Sequence, residues 1–331
     1  MNSLGIIANP ASGKDIRRLV SHATVVDNNE KINIVKRIIL GAQGYGVEKI
    51  FIMPDTFLIG YKVIEDLTVS GELKIPVSIL DMKVEGNLND TTNGAKFMEE
   101  EGVNCIVVLG GDGTNRAAAK AIVNTPLISV STGTNNVYPE MLEGTVVGMA
   151  AAAIATKNCD LGVTCRKDKR IEIFLEDELI DIALVDCVIS KQTFIGSKAI
   201  WDMGDIVEVI ISRAHPASIG FSTLIGVNMI IKEDDDFGAA MKMNTGGAKS
   251  MAPVAAGTLK EIFHDMPKKI ELNEEYIFNP DYRGSIALDG EREIIFKAGD
   301  KFKFKITRNG PFRVNIKRTL EEAQKNGFFK Y

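Results

Sequence analysis

Cys105-Ile-Val-Val-Leu-Gly-Gly-Asp-Gly-Thr-Asn-Arg-Ala117 joins a buried-strand signal to a glycine turn and a helix start. The continuous apolar run from Ile106 to Leu109, closed by glycines, predicts a parallel strand covered on both faces. A helix is expected from about Thr114, whose hydroxyl suits the N-cap. Gly110, Gly111 and Gly113 permit positive φ and let a ligand come close to the backbone. Asp112 is the only side chain between them, at the strand's carboxyl end, where open α/β sheets hold their ligands. The N–H groups and dipole of the following helix favour an anion. Arg116, expected in the first helical turn, opposes that dipole and makes sense if a phosphate shares the site. A tight strand-to-helix turn with Arg116 paired to Asp112 explains the same residues. On this stretch alone the two readings stand level.

Upstream, strand and helix signals alternate. Leu4 to Ala8 reads as a strand ending in the turn Asn9-Pro-Ala-Ser-Gly-Lys14. Asp27 and Glu30 form a capping-box pattern ahead of Ile32, Val35, Ile38, Ile39 and Ala42 at helical spacing. Lys49 to Met53 and Val77 to Leu80 read as strands, and Tyr61 to Leu67 and Asn93 to Glu101 as helices. Downstream, the strand Leu127 to Val130 leads into the loop Ser131-Thr-Gly-Thr-Asn-Asn136. The alanine-rich helix Val146 to Thr156 follows. Short links between alternating elements imply right-handed crossovers and a doubly wound parallel sheet over residues 1–156.

Near Lys157 the pattern changes to β-branched runs. Ile171 to Leu175 and Ile180 to Ile189 suggest a hairpin. Ala199 to Arg213 reads as a helix, and Phe221 to Ile231 as a strand. Gly284 to Leu288, Ile294 to Lys297, Lys301 to Thr307 and Phe312 to Ile316 are further strands. A β-rich second domain over 157–317 is therefore expected. A terminal helix, Thr319 to Asn326 within 318–331, is expected to dock back on the first domain.

The chain of 331 residues is long enough for two cores, and 45% apolar with 25% charged residues is ordinary globular composition. A formal charge of −5 leaves no electrostatic footprint for nucleic acid or an anionic membrane. Cys105, Cys159, Cys165 and Cys187 lack metal-ligand spacing and read as small buried hydrophobes in a reducing cytosol. With no leader and no run long enough to span a bilayer, a soluble cytoplasmic protein is expected. Glu233 to Asp236 reads as a solvated acidic loop.

Two further loops follow strand ends. Ser12, Gly13 and Lys14 offer a hydroxyl, a close backbone approach and a cation, which suits a phosphate, although the Walker spacing is absent. Thr132 to Asn136, with Thr134, Asn135 and Asn136, supplies hydroxyls and amides suited to a ribose or a base. Three such loops on one sheet form a moderately specific ligand signal. His22, His215 and His264 form no constellation, which is no obstacle to phosphoryl transfer, since that chemistry needs positioning, charge neutralisation and at most one carboxylate base.

At Gly110-Gly-Asp-Gly-Thr114 the sequence resembles the NAD kinase, diacylglycerol kinase and phosphofructokinase superfamily. With Asn9-Pro10, Ser12-Gly13, Arg116, Gly133-Thr-Asn-Asn136 and Leu288-Asp-Gly-Glu291, the pattern looks most like its ATP-NAD kinase branch of the AcoX type, associated with acetoin catabolism. The resemblance covers most of the chain. It implies an α/β domain, a β-sandwich-like domain and a nucleotide cleft between them. It also implies a kinase using ATP, or another phosphate donor, with Mg²⁺, and homo-oligomers. The first-choice acceptor is NAD, phosphorylated on its adenosine ribose 2′-hydroxyl to NADP. A lipid or other small alcohol, or a nucleotide-binding regulator of acetoin metabolism without catalysis, are the alternatives.

Carried over residue by residue, Asp112 is the catalytic carboxylate, acting directly or through Mg²⁺. Gly110, Gly111, Gly113, Thr114, Arg116, Ser12, Gly13, Thr134, Asn135 and Asn136 would hold the nucleotide. Asp289 and Glu291 would lie near the metal or the base. NAD kinases carry an Asn and an acidic residue that grip the acceptor. The matching stretch here is Ala183-Leu184-Val185-Asp186, so Asp186 keeps the acid while Val185 cannot hydrogen-bond a ribose.

Overall fold

The computed structural model describes residues 1–12, 22, 24, 26–193 and 203–330, apart from the side chains at 292 and 293. The first half alternates β1 (Ser3–Ala8), α1 (Asn28–Gly44), β2 (Lys49–Ile52), α2 (Ile59–Val69), β3 (Val77–Ile79), α3 (Leu88–Glu100), β4 (Cys105–Gly110), α4 (Asp112–Ala119), β5 (Pro126–Ser131) and α5 (Gly144–Ala155). These strands pair in parallel in the order β3-β2-β1-β4-β5. Every residue of β1, β4 and β5 is buried, as central strands under helices on both faces must be. The order reverses between β1 and β4, which opens a crevice at their carboxyl ends.

Local sequence explains the helices that line this sheet. Asp27 Oδ1 accepts from the Glu30 amide at 2.8 Å and caps α1. The stripe Ile32, Val35, Ile38, Ile39 and Ala42 is buried against the sheet and α5. Gly41 lets α1 and α5 touch, because a Cβ there would meet Thr145 O at 2.6 Å. The start of the fourth helix departs from expectation. α4 begins at Asp112 with Gly111 as N-cap, two residues before Thr114. Asp112 therefore occupies the first turn, where a carboxylate complements the dipole, and Arg116 falls in the last.

The second half forms two antiparallel sheets. After the short α6 (Leu161–Thr164) come β6 (Cys165–Lys167), β7 (Arg170–Leu175), β8 (Glu178–Ala183), β9 (Asp186–Ser190), β10 (Ile206–Ile211), α7 (Ser222–Gly226), β11 (Phe237–Ala255), β12 (Thr258–His264), β13 (Lys268–Glu271), β14 (Glu275–Phe278), β15 (Gly284–Leu288), β16 (Glu291–Phe296), β17 (Phe302–Thr307), β18 (Phe312–Val314) and α8 (Ile316–Lys325). One sheet runs β12-β11-β10-β9-β15-β16 with β13 on β11, and the other β14-β17-β7-β8. Ile171, Ile173, Ile189, Ile210, Phe296 and Phe302 belong to the core that both sheets share. This is a sandwich-like arrangement.

Several expectations need correcting. The helix expected over Ala199 to Arg213 is, from Ile206 to Ile211, strand β10, paired with β9 and β11. Its β-branched run favours that state. Residues 199–202 lie outside the described residues. The strand expected over Phe221 to Ile231 is instead α7, with Leu224 and Ile225 fully buried. Short apolar runs do not separate a buried helix from a strand by periodicity. The run Ile180 to Ile189 divides at Leu184-Val185, where the chain steps from one sheet to the other. β18 joins the first sheet, parallel to β5 and antiparallel to β6, so the return to that sheet starts at Phe312, ahead of residue 318. All four cysteines are buried and unbridged, and no helix among the described residues is long and apolar enough to cross a membrane.

Candidate active site between the two halves

A cleft of about 600 Å³ opens at the carboxyl ends of β1, β2 and β4 and is closed by residues of the β-rich half. Asn9, Ser12, Gly111, Asp112, Gly113, Thr114, Asn135 and Asn136 line one side. Asp186, Asp289, Gly290 and Glu291 line the other, with Phe221 and Val254 as apolar wall. The structure thus gathers three of the loops singled out by the sequence with the Asp-Gly-Glu turn. Gly13 lies outside the described residues. Thr134 is not among the lining residues, and its Oγ1 accepts from the Thr24 amide at 3.2 Å. Gly110 ends β4 behind the lining, where a Cβ would collide with the Thr114 side chain at 2.5 Å.

Asp112 sits at the centre of this arrangement. Its Oδ1 accepts from the amides of Tyr138 at 2.8 Å and Val137 at 3.1 Å, so the β5 loop fixes the carboxylate's orientation. The first-turn amides around it, at Asp112, Gly113 and Thr114, have no acceptor within their own helix. The flanking glycines are dictated by proximity. A Cβ on Gly111 would stand 2.9 Å from Asn136 Oδ1, and one on Gly113 would stand 3.1 Å from Glu291 Oε1. Asn9 Nδ2 donates to Thr114 Oγ1 at 3.0 Å and ties the β1 loop to the β4 turn. Thr132 Oγ1 and Ser12 Oγ, 3.1 Å apart, tie it to the β5 loop.

Arg116 does not line the cleft. It is 1% exposed, with Nη1 3.2 Å from Asp181 and Nε 3.9 Å from Asp289 Oδ2. The phosphate contact expected of it assumed a first-turn position, and the earlier helix start turns it instead into the seam between the halves. Asp289 is held in the left-handed region at φ 49°. Its carboxylate accepts from the amides of Leu184 at 2.9 Å, Val185 at 2.8 Å and Asp186 at 3.1 Å. Burial raises the pKa of this carboxyl, and Arg116 and the three amides offset only part of that rise. The Val185 side chain is fully buried with Tyr138, Ala119 and Leu184, away from the cleft. Asp186, next in the chain, lines it.

Residues 4–158 match the ATP-NAD kinase N-terminal domain, and residues 169–309 match the acetoin catabolism protein X C-terminal domain. A relative from Cupriavidus necator named acetoin catabolism protein X is 34% identical over 316 residues, covering 90% of this chain and 86% of that protein. The chain belongs to the acetoin catabolism protein X family. The crystal structure of yeast NADH kinase complexed with NADH superposes with a TM-score of 0.52 over 98% of this chain and 87% of that one, at 12% identity. That likeness is one of fold, and the architecture is NAD kinase-like.

In this family member residues the sequence reading passed over stand behind and along the cleft wall. Lys31 is 1% exposed, and its ammonium donates to Ser12 O at 2.7 Å and Asn9 O at 2.9 Å. Its place on the apolar stripe of α1, four residues before Val35, was the available signal. Asp55 and Asp90 line the cleft as well. Asp55 accepts from the amides of Phe57 and Ile59 at 2.8 and 2.9 Å, and burial raises its pKa. Asp90 accepts from Glu85 and Gly86 at 2.8 and 2.7 Å. The described lining residues thus include six carboxylates and no lysine, arginine or histidine.

Proposed function

We infer that the protein is a kinase that moves a phosphoryl group from ATP, or another phosphate donor, to an alcohol, with NAD as the first-choice acceptor and NADP as product. The observation that carries this reading is the Asp112 carboxylate, oriented by the Val137 and Tyr138 amides at the start of α4 within the cleft. There Asp112 takes the proton of the attacking hydroxyl as its oxygen bonds to the donor's terminal phosphorus, and the bridging P–O bond breaks to release ADP or the correspondingly shortened donor. The amides of Gly113 and Thr114 face developing phosphate charge, and Ser12, Asn135 and Asn136 orient the nucleotide. Asp186, with Glu291 across from Gly113, faces the acceptor side.

A polyphosphate entering a cleft lined by six carboxylates and no described cation needs neutralising. No cluster of three metal-binding side chains occurs among the described residues. Mg²⁺ is ordinarily held by one or two carboxylates together with substrate phosphates, so Asp112 and the donor fit it without a protein cage. When bound it would neutralise phosphate charge. The decisive experiment is incubation with ATP, Mg²⁺ and NAD, with products identified by mass spectrometry. NADP and ADP are the expected products; a screen in which no alcohol is phosphorylated with either ATP or polyphosphate as donor would overturn the kinase reading.

Val185 favours a second reading. An apolar side chain buried in the seam replaces the amide that NAD kinases use on the acceptor, which fits a different alcohol or a nucleotide-binding regulator. Tight calorimetric binding of NAD or ATP without turnover would select the regulator.

A further inference from the structure

The β11–β12 hairpin carries a serine–histidine pair away from the cleft. The register sets Ser250 opposite Ile262 and Ala248 opposite His264. Alternation therefore puts Ser250 and His264 on the hairpin face that also carries the buried Ala252 and Ile262. His264 is fully buried, whereas Ser250 is half-buried. His264 Nε2 lies 2.9 Å from Ser250 Oγ, and its Nδ1 lies 2.7 Å from the Asp265 carbonyl oxygen. A carbonyl only accepts, so Nδ1 carries the proton, and in the neutral ring Nε2 presents a lone pair to the serine hydroxyl. Asn228, exposed just after α7, closes a triangle, its Oδ1 3.0 Å from Ser250 Oγ and its Nδ2 3.4 Å from Nε2. The hydroxyl has one proton to give, and the imidazole is the more basic of its two acceptors. A nucleophile, a base in contact with it and a group that orients the base are thus assembled on one hairpin face.

We propose that Ser250 and His264 form an acyl-transfer site for small activated acyl esters, with Ser250 as nucleophile and His264 as base. Ser250 Oγ bonds to the acyl carbon, the ester C–O bond breaks, and the hydroxyl proton passes through His264 Nε2 to the leaving oxygen. Water then attacks the acyl-serine by the same route, which releases the carboxylic acid and restores the hydroxyl. The Gly220 amide donates to Pro253 O at 3.2 Å, from the side of β11 that β12 leaves uncovered. Strand alternation aims the Met251 amide to that same side, next to Ser250, as a donor for the acyl oxygen. A small acyl group suits a nucleophile that is half-buried. Neither Ser250 nor His264 is among the residues lining the cleft, so the site is independent of the phosphoryl transfer proposed there.

The test incubates the full chain, without nucleotide, with p-nitrophenyl acetate. Release of p-nitrophenolate is followed, and the acetyl group is located by peptide mass spectrometry on acid-quenched samples. One acetyl group on Ser250 is expected, formed more slowly in D₂O because a proton moves in the acylation step. Ser250→Ala should lose that acetyl group and release p-nitrophenolate about 10²-fold more slowly, the low end of what a positioned base contributes. Ser250→Cys should keep the label, now on sulfur. A polar triangle that only closes the hairpin face would leave Ser250 no more reactive than any other serine. Equal release by the parent chain and Ser250→Ala, or acetylation of lysines alone, would overturn the site. Acetyl-serine formed at the same rate in H₂O and D₂O would overturn His264 as its base. The probe carries no phosphate, so these outcomes stand apart from success or failure of the kinase assay.

Discussion

Asp289 Oδ1 accepts from the Val185 amide at 2.8 Å, and the same carboxylate takes the amides on either side of it. What position 185 supplies is thus a backbone N–H, while its side chain packs in the seam. Asp289 acts as a positioning residue: it fixes the step from β8 to β9 and sets Asp186 in the cleft wall, with Arg116 balancing its charge from α4. Asp289→Asn exchanges an acceptor for a donor against these amides. It should lower stability by about 1–3 kcal/mol, read as a fall in denaturant midpoint at unchanged slope. An unchanged midpoint would refute the clamp.

Asp112→Asn should leave the fold intact, because an amide oxygen still accepts from Val137 and Tyr138. Turnover should fall by about 10²–10⁴-fold, the usual worth of a positioned general base. Nucleotide affinity measured by calorimetry should stay within a few-fold. Near-normal activity would remove Asp112 from the chemistry.

Lys31→Met keeps the length of the side chain and removes the donor that Asn9 O and Ser12 O share. Two half-buried carbonyls then lose a charged partner, and the β1 loop loosens. The expected signature is a higher KM for the phosphate donor with a smaller change in kcat. A change confined to kcat would place Lys31 elsewhere in the mechanism.

Much of this arrangement was legible in the sequence because it is written locally. Continuous apolar runs announced β1, β4 and β5; the glycines around Asp112 suggested the approach of a ligand, and the neighbours the structure places against Gly111 and Gly113 are the Asn136 and Glu291 side chains. What was not legible depends on partners far along the chain. Arg116 was assigned to phosphate because Asp181 and Asp289 are 65 and 173 residues away and no local pattern announces them. Asp289 and Gly290 form the turn between β15 and β16, and nothing near them in the sequence marks the three amide donors. The long hairpin of β11 and β12 escaped notice because its small and polar residues carry a bulge between Met243 and Ala248 that breaks the period-two pattern.

Lys169 gives a pH signature. Its side chain is fully buried between β7 and the 232–237 segment, donating to Phe237 O at 2.7 Å and Lys232 O at 3.0 Å. Burial, with Arg213 and Arg308 nearby, lowers its pKa to about 7. Between that value and the ordinary lysine range, the unfolded chain holds the proton and the folded one does not. Stability therefore rises with pH across this window, by at most about 1.4 kcal/mol per unit from this group, and the contribution is flat below it. A neutral amine still donates to both carbonyls, so the gain does not cost the hydrogen bonds. In Lys169→Met the slope of unfolding free energy between pH 7 and 9 should be shallower than in the parent chain. Parallel slopes in paired urea titrations would show that Lys169 is protonated in the folded state throughout.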